Sequence, residues 1–108
     1  VYGVVGAYRE KRIDIHIGDL HAYWQGQPSR PAALFYKKIY LLPGVREDLR
    51  RLWHEEASQR FVMTLPNAQM LLATVREDPE SIGILPLDQV RVGVQLFTVD
   101  GYDPVRPR

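Results

Sequence analysis

The stretch Phe61–Leu87, FVMTLPNAQMLLATVREDPESIGILPL, holds the transitions that decide the fold. Arg60 to Thr64 has the composition of a short strand. Leu65-Pro66-Asn67 then opens a helix: Pro66 suits a first turn, where its missing N–H costs nothing, and Thr64 or Asn67 offers a side-chain oxygen as a cap. Ala68, Leu71, Leu72 and Val75 recur at helical spacing and form the buried stripe. Asp78-Pro79 stops the helix, because a residue before proline is pushed out of helical geometry. Ser81 to Leu85, with Gly83 inside it, is a second buried strand halted by Pro86. A strand that runs into a helix in this way leaves free N–H groups at the helix start, which suits an anionic or polar ligand.

On the C-terminal side, Asp88-Gln89 links to a strand over Val90 to Val99, in which Val90, Val92, Val94, Leu96 and Thr98 share one face. Phe97 and Val99 extend burial to the other face. Asp100 to Arg108 has the turn and proline content of a linker-like tail. On the N-terminal side, a helix from Val45 to about Ser58 carries Val45, Leu49, Leu52, Trp53 and Ala57 as its core stripe, with a solvated charged face opposite. Before it come a strand over Ala32 to Tyr40 and the turn Leu41-Leu42-Pro43-Gly44. Earlier still, Ile13 to Gly26 changes from alternation to helical spacing, with Ile17, Leu20 and Trp24 on one stripe and Gly26 at the helix stop. Val1 to Tyr8 is the first strand, Arg9 to Arg12 a solvated turn, and Pro28 to Pro31 a loop.

Strand, helix, strand, helix, strand, helix, strand, strand is the order of an α/β protein: a three-layer lobe with a mainly parallel central sheet flanked by helices. The 108 residues, 45% of them hydrophobic, suffice for one core and one domain spanning 1–108. Fourteen basic residues against thirteen acidic ones leave no net field to recruit nucleic acid. Cysteine is absent, which removes disulfides and thiolate chemistry. No apolar run approaches the roughly 18–20 residues that cross a bilayer. The opening Val1-Tyr2-Gly3 lacks Met and a basic leader, so a mature product, a fragment or an excised domain is expected.

Catalytic signatures are missing. Gly3 and Gly6 do not continue into a nucleotide-binding glycine loop, and neither a G-K-[ST] loop nor a G-x-S-x-G elbow occurs. Ser29, Ser58 and Ser81 stand in loops or at element ends. His16 and His21 are five apart, which does not stack them on one helical face, and His54-Glu55-Glu56 lacks a second histidine. No enzyme activity, cofactor or metal is expected.

Three phrases in order carry a family resemblance: Asp19-Leu20-His21-Ala22-Tyr23-Trp24-Gln25-Gly26, then Val75 through Ser81-Ile82-Gly83-Ile84-Leu85-Pro86-Leu87, then Val99-Asp100-Gly101-Tyr102-Asp103-Pro104. With this spacing the chain resembles the second lobe of a periplasmic solute-binding protein of the phosphate-binding (type II) superfamily. The resemblance implies a ligand held between two lobes by helix N-termini and loop amides. It also implies a small-molecule solute, a second lobe of the same protein and a membrane transporter or sensor subunit as partners. The implied location is periplasmic or extracellular, with any membrane anchor in flanking sequence.

The ligand-binding residues expected on this basis are Gly44, Val45 and Arg46 in the Leu41–Arg46 loop, and Thr64, Asn67 and Ala68 at the next helix start. Tyr8 joins them as the end of the first strand, since ligands of open α/β sheets gather at the carboxyl ends of strands. One departure stands out. The family's loop carries an Arg with a Ser-Gly-Thr run, whereas Tyr40-Leu41-Leu42-Pro43-Gly44-Val45-Arg46 has no hydroxyl pair and offers backbone amides instead. A second reading follows from it: a non-catalytic protein interaction module on the same scaffold that has lost ligand binding. An effector-sensing lobe of a cytoplasmic regulator is a third.

Overall fold

In the computed structural model, which describes residues 2–8, 13–27 and 36–101, strand β1 (Tyr2–Ala7) runs through the middle of a six-stranded sheet. The expected Arg9–Arg12 turn, the Pro28–Pro31 loop, residues 32–35 and the tail from Tyr102 lie outside the described residues. The chain continues through β2 (Asp14–Ile15), α1 (Ile17–Trp24), β3 (Lys38–Leu41), α2 (Pro43–Trp53), β4 (Val62–Thr64) and α3 (Ala68–Glu77). It closes with β5 (Ser81–Pro86), a 3-10 turn at Leu87–Gln89, and β6 (Val94–Val99).

The strand order is β2-β6-β1-β5-β3-β4. β2 with β6, β3 with β4 and β3 with β5 pair in parallel, while β1 is antiparallel to both of its neighbours, β5 and β6. The sheet is thus mainly parallel, as the alternating order predicts, with one reversed strand at its centre.

Alternation along β1 separates the two faces. Val5 stands opposite Gly83 and Leu96, and Val4 opposite Ile84 and Phe97. Helix α3 covers the Val5 face. It lies so close over Gly83 that a β-carbon there would stand 2.7 Å from Leu71 Cδ2 and 3.0 Å from Val75 Cγ2. Glycine inside a strand marks such an approach. Helices α1 and α2 cover the other face, where Tyr36 packs on Phe97 and the Tyr23 hydroxyl donates to the Tyr36 carbonyl at 2.8 Å. Burial, with the charge of Asp19 nearby, pushes the Tyr23 phenol up to about 12. The C-terminal turns of α1 and α2 meet through Trp24 and Trp53, edge to face with ring centroids 5.3 Å apart.

Several boundaries differ from the sequence expectation, and in three places the reason is tertiary. Helix α2 stops at Trp53 rather than near Ser58, because His54 turns left-handed (φ 54°). The chain beyond it is taken up by α1: Trp24 Nε1 donates to the Glu55 carbonyl at 3.0 Å, and Ser58 N–H donates to the Trp24 carbonyl at 2.7 Å. Strand β6 begins at Val94 rather than Val90, since the 3-10 turn and a left-handed Gly93 (φ 105°) occupy the preceding residues. Asp100 and Gly101, expected to open the linker-like tail, are bound to the lobe. Asp100 N–H donates to the Ile15 carbonyl at 2.9 Å, and Asp14 Oδ1 accepts from Thr98 Oγ1 at 2.6 Å and from Gly101 N–H at 2.8 Å. These two hydrogen bonds hold the Asp14 carboxyl below its ordinary range.

Candidate functional site

Because β3, β4 and β5 are parallel, Leu41, Thr64 and Pro86 end at one edge of the sheet. Helices α2 and α3 both begin there. Leu42 is extended (φ −83°, ψ 156°) and buried, Pro43 supplies a first helical residue that needs no acceptor, and no side chain caps the helix. Arg46 N–H closes the first turn on the Leu42 carbonyl at 3.0 Å. The N–H groups of Gly44 and Val45 therefore face out of the helix start, with no acidic residue in the first turn to offset its positive end. A β-carbon on Gly44 would meet nothing within 4 Å, so the approach is open. Arg46 Nη1 donates to Thr64 Oγ1 at 3.0 Å, which ties the first turn of α2 to the end of β4. The expected residues Gly44, Val45, Arg46 and Thr64 thus form one group.

Asn67 and Ala68 stand at the start of the other helix, α3. Asn67 is the N-cap of α3, extended at φ −153°, and its Oδ1 accepts from Met70 N–H at 2.9 Å. Pro66 precedes the cap instead of standing in the first helical turn. Of the two candidate caps, Asn67 fills the role, and the Thr64 hydroxyl accepts from Arg46 instead. Ala68 lines a hollow on the α3 side of the sheet together with Leu72, Arg76 and Arg91.

Tyr8 is brought to neither group. β1 is reversed relative to β5, with Tyr2 opposite Pro86 and Gly6 opposite Ile82, so the end of β1 near Tyr8 lies at the amino edge of the parallel strands. The rule that places ligands at carboxyl ends selects the other end of β1, which is Tyr2.

Tyr2 and Asp48 are the residues that sequence reasoning missed. With Leu42, Gly44, Val45 and Pro86 they line a hollow of about 310 Å³ at the start of α2, at the lower end of small-ligand pockets. The Tyr2 hydroxyl donates to the Asp48 carboxylate. This hydrogen bond, with some burial and the adjacent negative charge, raises the phenol above its ordinary value. The hollow therefore presents backbone donors on one wall and a carboxylate acceptor on the other. Asp48 looks like part of a solvated helix face in sequence, and only the direction of β1 brings Tyr2 to it.

His16 and His21 are engaged separately. His16 Nδ1 lies 2.9 Å from Asp100 Oδ1, which raises the imidazole above its ordinary value. Asp100 Oδ2 also accepts from Ile17 N–H at 3.3 Å, so a distant aspartate caps α1. His21 Nε2 lies 2.6 Å from Glu55 Oε1 while its ring stacks on Trp53. Among the described residues no three His, Cys, Asp or Glu side chains group as metal ligands, and no helix is long and apolar enough to cross a membrane.

The backbone is similar to one half of two solved structures. One is an ABC-type phosphate transport receptor from Vibrio cholerae, with a TM-score of 0.79 and 12% identity over 95% of this chain and 47% of that one. The other, from Clostridium perfringens, is assigned as a phosphate ABC transporter substrate-binding protein and holds bound phosphate. It has a TM-score of 0.77 and 12% identity over 94% of this chain and 46% of that one. This chain spans about half the length of the structures it matches. At this identity the likeness is one of fold, and it agrees with the single α/β lobe expected from the sequence. No protein-family model matches the chain, and no curated protein matches it significantly.

Proposed function

We propose that the chain is the ligand-binding lobe of an extracytoplasmic solute-binding protein, non-catalytic, which holds a small anionic or polar solute at the start of α2. The observation that carries this reading is the uncapped helix start. Gly44 and Val45, at the uncapped helix start, line a hollow, and Arg46 of the same first turn is tied by its guanidinium to Thr64 at the end of β4. A helix N-terminus with free amides and an adjacent guanidinium is a ready anion site. The acceptor on Asp48 favours a solute that also carries a proton to donate, such as a protonated oxyanion or a hydroxy acid. A second lobe of the same protein would supply the remaining contacts, and a membrane transporter or sensor subunit would receive the solute. Asn67 and Ala68 stand on the α3 side and contribute a helix start there.

Calorimetry on the parent polypeptide, with its companion lobe present, tests the reading against a panel of oxyanions and small organic acids. One of them is expected to bind. Arg46→Ala removes a charge-assisted hydrogen bond worth about 1.5–3 kcal/mol, a loss of roughly ten- to a hundredfold in affinity. Gly44→Asp places a carboxylate in open space at the positive helix end and weakens anion binding without disturbing the fold. If nothing in the panel binds, or both variants bind like the parent, the assignment fails. A protein interaction module on the same scaffold is the second reading. It is favoured by the one feature the loop lacks, a hydroxyl pair, and by the use of Asn67 Oδ1 within its own helix.

A further inference from the structure

The hollow on the α3 side has a different chemistry from the one at α2. Ala68, Leu72 and Ala73 form its floor, and Arg76, Arg91 and Val92 its rim. Arg91 is fixed in place: its Nη1 donates to the carbonyls of Asp88 at 2.8 Å and Val90 at 3.1 Å. Arg76 lies across Gly93, where a β-carbon would stand 3.2 Å from its Cδ and 3.4 Å from its Nη1. Among the described residues, neither guanidinium has a carboxylate within ion-pair distance, whereas Lys37 is matched by Glu80 and Arg50 by Glu47. The left-handed Gly93 turns the link sharply and leaves Val92 98% exposed, a projecting apolar side chain beside two uncompensated cations.

We propose that this groove docks an acidic segment of a protein partner, with a carboxylate between Arg76 and Arg91 and an apolar side chain against Leu72 and Val92. Charge complementarity selects the acidic partner, since arginine forks match carboxylates and are enriched where proteins meet. The projecting Val92 selects a protein over a small anion. A small anion on the guanidinium groups leaves that side chain in water, and a partner surface covers it. The proposal stands independently of whether the start of α2 holds a solute.

The test is an NMR titration of the isotopically labelled chain with a twelve-residue peptide alternating Asp or Glu with Leu or Phe. Its Asn and Gln counterpart, citrate and a single-stranded oligonucleotide serve as competitors. The acidic peptide is expected to shift the Val92 methyls and the Nε signals of Arg76 and Arg91, and the amide counterpart to bind at least about tenfold more weakly. Arg76→Glu with Arg91→Glu is expected to lose at least about tenfold in peptide affinity at an unchanged melting temperature. Arg76→Gln with Arg91→Gln serves if the reversal does not fold. Val92→Ser is expected to weaken the peptide and leave citrate unaffected. The proposal is overturned if the amide peptide, citrate or the oligonucleotide binds as tightly as the acidic peptide. Shifts that fall elsewhere on the chain, or no binding by the acidic peptide, overturn it as well.

Discussion

Gly83→Ala probes the contact on which the α3 layer rests. Two effects of opposite sign compete. Replacing glycine by alanine in a strand narrows the unfolded ensemble and stabilises by about 0.4–1 kcal/mol where the new side chain fits. Here it does not fit: the methyl would stand 2.7 Å from Leu71 Cδ2, 3.0 Å from Val75 Cγ2 and 3.2 Å from Val5 Cγ2. All three neighbours are fully buried, so none can swing into solvent, and overpacking of this kind costs about 1–3 kcal/mol. The net expectation is a destabilisation of roughly 0.5–2 kcal/mol, and each 1 kcal/mol lowers the melting temperature of a domain this size by about 4–8 °C. Urea unfolding should show a lower midpoint at an unchanged slope. Leu71→Ala alone should cost about 2–5 kcal/mol. The double variant should be less unstable than the sum by about 1 kcal/mol, because the new methyl enters the space that leucine leaves. A Gly83→Ala protein as stable as the parent, or a strictly additive double variant, would refute the packing described for α3.

Two further expectations concern caps and charge. Asn67→Ala removes the oxygen that accepts from Met70 N–H and should cost about 1 kcal/mol, seen as a lower urea midpoint and faster amide exchange at Met70. The His16 contact with Asp100 raises the histidine above its ordinary value of 6.5. It therefore contributes stability that is complete below that value and is lost as the pH rises through the higher folded-state value. His16→Asn should flatten this decline, and an NMR titration of the His16 ring should place its midpoint above 6.5. A midpoint at or below that value would remove the contact as its cause.

Much of the lobe was legible because its signals are local. Asn67 and Asp78-Pro79 bound α3 through capping and proline geometry, and Gly26 ends α1 in a left-handed turn. What escaped was set by partners distant in sequence. The alternation of β1 is the same whether the strand runs up or down, so its reversal was invisible, and with it the exchange of Tyr8 for Tyr2 at the carboxyl edge. The stripe of α2 continues to Ala57, which is indeed buried, yet the helix stops at Trp53 because the Trp24 indole takes the Glu55 carbonyl. The resemblance named the α2 loop and the α3 start together, but whether they share a surface depends on which face each helix covers, and local pattern does not encode that.

The reversed central strand also governs how the molecule is made. β1 is the first of the described elements in chain order, yet Val4 pairs only with Ile84 and Phe97. The sheet cannot close around its own centre until almost the whole described chain has been synthesised. Long-range pairings of this kind slow folding and keep apolar strands waiting without partners. A chain that ended before Ser81 would hold Val4 and Val5 with neither neighbour.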